Sequence, residues 1–313
     1  MIDLLVIPLA VALDLVFGEM PSNIHPVVGM GRLLSLGARF APGKSNVAQF
    51  LYGAFTVLLV ATVFALASYI LLKYVRSVNQ VLYVLVAAIL LKSCFSIREL
   101  ARAADRVKDS LLRNNLVAAR SELHSLVSRE TAELSAPNVV AAAVESVAEN
   151  TSDSFVAPVF FFLILGIPGA MFYRACNTAD AMIGYHGKFE YLGKFAARLD
   201  DVLNFIPARI TGLLIVAAAH RVRAADGRSA WRIMRRDHSL TESPNAGWPM
   251  SAMAGSLDTR LEKVGHYRLG DANRSLSPDC IDTAVKLMLI TVLLWTGTVL
   301  MVRGVEFVVA FQA

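Results

Sequence analysis

Cysteine is scarce in this sequence, and the few cysteines that it has lie far apart. Cys94, Cys176 and Cys280 show no CxxC or metal-ligand spacing, so neither a disulfide scaffold nor a zinc site is expected. Charge is also sparse, because Asp, Glu, Lys and Arg make up 18% of the chain against about 25% in soluble domains. The HExxH, GxSxG and GxGxxG motifs are absent, as are internal repeats. The sequence therefore lacks the signatures of several common enzyme classes.

Apolar residues, in contrast, are abundant and make up 56% of the 313 residues. A disordered chain is excluded, because it would need low hydrophobicity and high net charge. A net charge of +5 is modest, and the arginines lie between apolar segments, so a nucleic-acid partner is not expected. The composition indicates a polytopic membrane protein with polar loops, in contact with membrane lipids.

Six apolar segments are candidates for membrane helices, and a full span needs about 20 residues. They are residues 2–17, 50–72, 78–91, 155–173, 205–219 and 281–302. The first has no basic leader and no A-x-A cleavage site, so we expect a retained helix and not a signal peptide. Pro168 and Pro207 interrupt the fourth and fifth, which favours broken or re-entrant helices lining a cavity.

The predicted fold is all-α: one membrane-embedded domain over residues 1–313, a helical bundle with polar loops at 96–154 and 220–280. Apolar residues recur with a helical period after residue 96, Asn114-Asn115 interrupts them, and Pro137 opens a third helical stretch, so these loops should be helical. If the six segments alternate, most of the 30 Lys and Arg residues lie on one side, which predicts a multi-pass protein of the cell membrane with cytoplasmic polar loops.

The densest polar cluster next to an apolar segment contains Glu145, Glu149, Asn150 and Asp153. The two glutamates are i,i+4 neighbours on a helix, and carboxylates so placed repel each other unless a cation lies between them. Oxygen ligands favour a hard ion such as Mg²⁺. The alternative is that Glu145 faces water and that Asn150 and Asp153 cap the next helix.

Two further clusters place charge beside apolar segments. Arg174, Asn177 and Asp180 form one helix stripe after the fourth segment, and polar groups at membrane depth are functional candidates. The alternative is an interfacial helix whose arginine reaches the surface. A second run leads into the fifth segment and contains Arg198, Asp200, Asp201, Asn204 and Arg209. Arg209 needs a carboxylate or a bound anion there, and Asp180, Asp200 and Asp201 are its nearest candidate partners.

Three shorter motifs contain further candidate residues or resemble a known site. Residues 243–249 read SPNAGWP, a rigid turn that presents Trp248 beside Asn245, either to stack on a planar ligand or as an interfacial tryptophan. His25-Pro26 predicts a phosphate or proton site, or an ordinary turn. Residues 37–45 resemble a P-loop, but they have one residue too many and follow a helical pattern instead of a strand, so a P-loop is rejected.

Together these segments resemble the membrane-bound adenosylcobinamide-phosphate synthases of cobalamin biosynthesis. The matching segments are ESVAENTSDSFVAP, YRACNTADAMIGY, AARLDDVLNFIPARITGLL, SPNAGWPMSAMAGSL and the opening LDLVFGEMPSNIHPVVGMGRLL. They run in the family's order from about Leu13 to Leu269. Gly-Glu-Met-Pro at 18–21 departs from the Asp-Pro type expected there, which weakens any role placed at Glu19.

The resemblance implies an amide-forming ligase that joins the free propionate of adenosylcobyric acid to (R)-1-aminopropan-2-ol phosphate, or to aminopropanol. ATP would drive it through an acyl phosphate, and Mg²⁺ would neutralise the ATP phosphates. A related branch of non-catalytic membrane proteins, tied to β-lactamase regulation, and a small-molecule transporter are the alternatives. A homo-oligomer and contacts with other enzymes of cobalamin assembly are left open.

For that chemistry, the residues of the clusters take three expected roles. Metal ligands would be Glu145, Glu149, Asp153 and Asp180. Catalytic carboxylates would be these four with Asp200 and Asp201. Substrate-binding residues would be His25, Asn150, Arg174, Asn177, Arg198, Asn204, Arg209, Asn245 and Trp248, with the arginines holding anions. If the fourth and fifth segments are re-entrant, both groups of carboxylates should face one cleft on the cytoplasmic side.

Overall fold

The computed structural model describes residues 2–43, 45–128, 130–185 and 189–312. Among these residues it has a 3₁₀ turn at Ile2–Leu5, a π-helical turn at Ser152–Val156, two short strands and thirteen α-helices. The helices are α1 Val6–Phe17, α2 Pro26–Arg39, α3 Asn46–Val78, α4 Gln80–Lys92, α5 Ile97–Leu112, α6 Leu116–Leu123, α7 Ala136–Thr151, α8 Ala157–Ile183, α9 Lys194–Leu203, α10 Phe205–Ala219, α11 Gly227–Asp237, α12 Gly247–Leu257 and α13 Pro278–Gln312.

Four helical stretches in the described residues are long and apolar enough to cross a membrane. They are Asn46–Val78, Gln80–Leu112, Ala136–Ile183 and Pro278–Glu306. A fifth span is added if the bent pair α9 and α10 counts as one broken helix. The protein is therefore a polytopic helical membrane protein, as the sequence predicts. The first apolar segment forms α1, which with its twelve residues falls short of a span.

The chain divides into two compact units. Unit 1 contains residues 1–96, 157–204 and 298–313, and unit 2 contains residues 97–156 and 205–297. In unit 1, α3 packs along α8, α1 packs against α4, and α2 lies against both α3 and α8. The packing of α3 is close, because a Cβ atom on Gly53 would meet the carbonyl oxygen of Leu192.

Helix α8 is broken where the sequence predicts an interruption. Gly166 has φ 68° and ψ −161°, a conformation that residues with a Cβ atom avoid. Pro168 follows inside the helix and has no N–H to donate to the preceding turn. Glycine and proline together mark the kink. One turn before Gly166, the Arg303 side chain donates to the carbonyl of Phe162 over 3.1 Å.

Unit 2 has α7 and α12 at its centre. From Val139 to Ala148 every residue of α7 is buried, which its run of small alanine and valine side chains permits. Every residue of α12 from Pro249 to Leu257 is buried as well. A Cβ atom on Gly255 would lie 2.7 Å from the carbonyl oxygen of Ser229, so this glycine lets α12 approach α11 closely.

The polar loops are helical, as predicted: α5, α6 and α7 fill residues 96–154, and Asn114 adopts the left-handed conformation between the first two. A small antiparallel hairpin was not predicted from the sequence: Leu261–Lys263 (β1) pairs with Tyr267–Leu269 (β2). Strands of three residues are too short to show an alternating pattern.

Residues 26–39 form the helix α2, so no strand precedes the segment that resembles a P-loop, as the sequence predicts. Lys44 lies outside the described residues.

Candidate functional site

Two carboxylates line a cavity in unit 2. Glu145 and Glu149 lie one turn apart on α7 and border a cavity of about 180 Å³. Glu145 is 5% exposed. The alternative in which Glu145 faces water is therefore wrong. Lys263 and Tyr267 also border this cavity. They are paired residues of the β1–β2 hairpin, and side chains so paired project from the same face of a sheet.

Local hydrogen bonds fix the α7 end of this cavity. The Ser146 hydroxyl donates to the carbonyl of Leu126 over 2.8 Å, which ties α7 to the preceding loop. The Asn150 amide donates to both the carbonyl and the hydroxyl of Ser146 and accepts from Ser154. Asn150 therefore braces its own helix, and Asp153 follows in the π-helical turn, a type of local widening that is frequent at functional sites.

Arg209, on α10 of unit 2, is held by aromatic rings and polar oxygens. Its guanidinium lies 3.5 Å from the centroid of the Phe205 ring and 4.9 Å from that of Trp248. It donates to the carbonyl of Phe205 and, at 3.5 Å, to the side-chain oxygen of the buried Asn245. In the described residues it forms no ion pair with a carboxylate. The Arg209 guanidinium therefore keeps N–H donors for an anion, and it lies in a partly desolvated environment.

The Trp248 ring is packed on one of its neighbours. The His238 ring lies 4.0 Å from it, centroid to centroid, and the close approach requires Gly247, where a Cβ atom would meet the His238 carbonyl. The Ser243 hydroxyl accepts from the N–H groups of Asn245 and Ala246, which confirms the predicted turn. The indole N–H is buried and has no acceptor among the described residues, so it offers a second donor near Arg209.

A polar network joins α8 and α9 in unit 1. Arg174 donates to Asn177 over 3.2 Å, and Asn177 donates to Asp200 over 3.2 Å. Asn204 donates to the other Asp200 oxygen over 2.9 Å and accepts from the hydroxyl of the fully buried Tyr173 over 2.8 Å. The structure thus brings four of the predicted residues together. The Arg174 Nε group is buried without an acceptor in the described part of the chain.

The other predicted site residues of unit 1 have surroundings that differ from those of Arg174 and Asp200. Arg198 is exposed and pairs with Asp201 at 3.4 Å on the surface of α9. Asp180, near the end of α8, lies against Gly184, where a Cβ atom would meet its carboxylate. His25 caps α2: its Nδ1 accepts from the N–H of Val27, so Nε2 carries the proton donated to Glu19 over 3.0 Å. Both ring nitrogens of His25 are therefore engaged in hydrogen bonds.

A cluster of buried ions lies beside His25. Lys92, at the end of α4, has a side chain that is 4% exposed and lies 3.8 Å from Asp14 and 3.7 Å from Glu19. Asp14 is 1% exposed. Burying a lysine is costly unless opposite charges surround it, and the two carboxylates supply that compensation.

Comparison with known proteins identifies the relatives of this chain. The family model described as "CobD/Cbib protein" matches residues 7–288. The chain belongs to the CobD/CbiB family. It is 51% identical over 287 residues to "Cobalamin biosynthesis protein CobD" of Dehalococcoides mccartyi, covering 91% of this chain and 92% of that protein. It is 41% identical to "Probable cobalamin biosynthesis protein CobD" of Methanothermobacter thermautotrophicus, covering 95% and 96%. No solved structure matches the chain.

Membership of the CobD/CbiB family confirms the resemblance seen in the sequence, but the roles of the site residues stay predictions. In the described residues no group of three or more His, Cys, Asp or Glu side chains is arranged to hold a metal ion. The four-ligand set Glu145, Glu149, Asp153 and Asp180 is therefore still a prediction, as are the substrate-binding residues.

Several polar residues of this CobD/CbiB protein could not be predicted from the sequence. Lys263 and Tyr267 reach the α7 cavity from a hairpin more than a hundred residues away, and no local motif marks them. Lys92 follows the third apolar segment, and nothing in the sequence shows that it is buried beside Asp14 and Glu19. The only signal in the sequence was the pair of acids, Asp14 and Glu19, near the end of α1. They become partners of Lys92 because α1 packs on α4.

Proposed function

We propose that this protein acts in cobalamin biosynthesis as an ATP-dependent ligase. It would form the amide between the free propionate of adenosylcobyric acid and (R)-1-aminopropan-2-ol phosphate, or aminopropanol. The observation that carries the proposal is the pair Glu145 and Glu149 in a cavity that a lysine also lines, in a chain of the CobD/CbiB family. The enzyme would work in the cell membrane with its polar loops in the cytoplasm, where ATP is found.

The chemistry needs an activated acid, because a carboxylate is a poor electrophile. In the proposed reaction a carboxylate oxygen attacks the terminal phosphorus of ATP and ADP leaves. The amine then attacks the acyl carbon, inorganic phosphate leaves, and the ammonium proton is lost. The protein has to hold phosphate groups, hold the propionate and remove that proton.

The α7 cavity supports a role in handling the nucleotide. Mg²⁺ is usually bound by one or two protein carboxylates together with substrate phosphates, and Glu145 and Glu149 fit that requirement. Bound there, Mg²⁺ would supply neutralisation of phosphate charge. Lys263, on the facing hairpin, would hold a phosphate oxygen. A cavity of about 180 Å³ has room for part of the nucleotide, such as a phosphate group, and not for the whole.

The arginines support the binding of anionic substrate groups. Arg209 and the indole N–H of Trp248 are two donors without a carboxylate partner in the described residues, next to the amide of Asn245. Arg174 likewise keeps a buried Nε donor while Asn177 orients its other end. Phosphate and carboxylate groups are the natural ligands of such donors. One of the acids, Glu149 or Asp200, would take the proton of the amine, which has an ordinary pKa of about 10.

The test is product formation by purified protein in membranes. Adenosylcobyric acid is supplied with ATP and either amine, and the corrinoid product is measured by mass spectrometry, with a control that omits nucleotide. We expect amide product that depends on ATP. Glu149→Gln should lower turnover by about 100-fold or more, because the amide keeps the shape of the side chain but removes its charge.

Glu133→Gln is the matched control, since Glu133 is exposed, lies in unit 2 and is not part of the cavity lining. It should keep the turnover of the unaltered protein. Full activity of Glu149→Gln would remove α7 from the proposed site. A lack of product with both amines would contradict the ligase itself, and substrate uptake into sealed vesicles without chemistry would favour a transporter.

A further inference from the structure

A further cavity lies in unit 1, and none of its lining residues is among the predicted site residues. Its volume is about 580 Å³, and it is bordered by the 3₁₀ turn, the last turns of α3, the start of α4, the kink of α8 and the end of α13. The proposed ligase reaction uses none of its residues. All these elements except the 3₁₀ turn belong to candidate spans, so the cavity opens among membrane helices.

Cations outnumber acids at this cavity. Lys73, Arg76 and Arg303 border it, against Asp3 and Glu306. Asp3 lies 3.6 Å from Arg76, and Glu306 lies 3.0 Å from Arg303. Lys73 forms no ion pair with a carboxylate in the described part of the chain. One positive charge is therefore left for a ligand.

Neighbouring residues hold Asp3, Arg76 and Arg303 in position at this cavity. The Tyr83 hydroxyl donates to Asp3 over 2.7 Å, and the Arg76 guanidinium lies 5.0 Å above the Tyr83 ring. Arg303 also donates to the Phe162 carbonyl, one turn before the kink of α8. The cationic side of the cavity is therefore prearranged.

The other side of the cavity is apolar. Its wall is formed by side chains such as those of Leu72, Phe162 and Ile167, with Tyr69 at the edge. Tyrosine is typical of the level at which lipid headgroups meet the hydrocarbon. In the apolar window of α3, 28% of the residues are buried, so its remaining surface is open to lipid.

We propose that this cavity binds an anionic phospholipid, with the lipid phosphate at Lys73, Arg76 and Arg303 and an acyl chain against the apolar wall. Basic pockets between membrane helices bind lipid phosphates in this way. A free phosphate ion would use the same cations but would gain nothing from the apolar wall. The two sources of phosphate are therefore separable by experiment.

The experiment uses the full-length protein in nanodiscs of mixed phosphatidylglycerol and phosphatidylcholine, with bound lipid counted by native mass spectrometry. We expect retention of phosphatidylglycerol over phosphatidylcholine. Lys73→Gln should lower that preference about fivefold, since a lysine near an anionic lipid contributes about 1 kcal/mol. Lys73 is exposed, so its substitution leaves the fold intact. Arg303→Gln is the second variant and should act in the same direction.

Lys194→Gln is the matched control, because Lys194 is an exposed lysine of unit 1 at a helix end and does not border the cavity. It should retain lipid like the unaltered protein. Equal retention of the two lipids, or an unchanged preference in Lys73→Gln, would overturn the proposal. Displacement of phosphatidylglycerol by millimolar inorganic phosphate would also overturn it and would make the free ion the ligand.

Discussion

Glu19 carries a charge that its neighbours in unit 1 stabilise. Burial by itself raises the pKa of its carboxyl, but the hydrogen bonds from His25 and Ser96 and the charge of Lys92 outweigh burial and lower the pKa from 4.5 to about 2. The fold therefore favours the ionised form. That stabilisation is complete above pH 4.5 and is lost as the pH falls toward 2.

Replacing Glu19 by glutamine should reveal this linkage. Near neutral pH we expect Glu19→Gln to lower the free energy of unfolding by about 1–2 kcal/mol, less than the pKa shift alone implies, because a third of the side chain meets solvent. The difference from the unaltered protein should shrink between pH 4.5 and 2. Thermal unfolding in detergent across this range measures it; a pH-independent difference would contradict the assigned pKa.

The types of polar residue at the site could be read from the sequence, but their partners could not. The spacing of Glu145 and Glu149 already places them on one helix face. The depth of Glu145 depends on the packing of α7 inside unit 2, and Lys263 comes from a distant hairpin. Asp200 shows the same limit: its neighbours Asn177 and Asn204 are near it in the fold because α8 and α9 pack together.

Among the helices, α8 is broken in the structure where a proline in the sequence predicts a break. Pro168 in an apolar segment predicted a break, and in the structure Gly166 and Pro168 form it. The π-helical turn before α8 was not predicted, because a widened turn uses ordinary residues and has no simple sequence signature. The β1–β2 hairpin was missed for a related reason, since its strands are only three residues long.

Gly166→Ala should destabilise the protein, because alanine would have to adopt the backbone conformation of φ 68° and ψ −161°. We expect a loss of about 1–3 kcal/mol, seen as a lower unfolding temperature in detergent. Gly297→Ala is the matched control, since a Cβ atom there would meet nothing within 4 Å and the residue lies within α13. It should be neutral or slightly stabilising, and equal effects of the two variants would contradict the role of the kink.

For the whole molecule, the composition was sufficient to predict a polytopic helical membrane protein. The number of spans was harder to predict, because α1 is too short and α10 qualifies only together with α9. Span counts decide on which side each loop lies, so the predicted cytoplasmic side of residues 96–154 and 220–280 stays a prediction. The same holds for the expectation that residues 174–204 face the cytoplasm.

Cysteine labelling tests this topology. In a protein whose native cysteines are replaced, single cysteines at the exposed positions Arg198 and Arg223 are treated with a membrane-impermeant maleimide. If α8 and the bent pair α9–α10 are re-entrant, both positions should react in inside-out vesicles and remain unlabelled in intact cells. Labelling of position 198 from outside intact cells would contradict a cytoplasmic cleft.

The most direct measurement of the proposed activity follows the oxygen atoms of the acid. Adenosylcobyric acid carrying ¹⁸O in its free propionate is incubated with ATP, the amine and the purified protein, and both products are analysed by mass spectrometry. Activation as an acyl phosphate predicts that one ¹⁸O atom moves into inorganic phosphate for each amide formed. Failure to form the amide, or an amide formed together with unlabelled phosphate, would contradict the account.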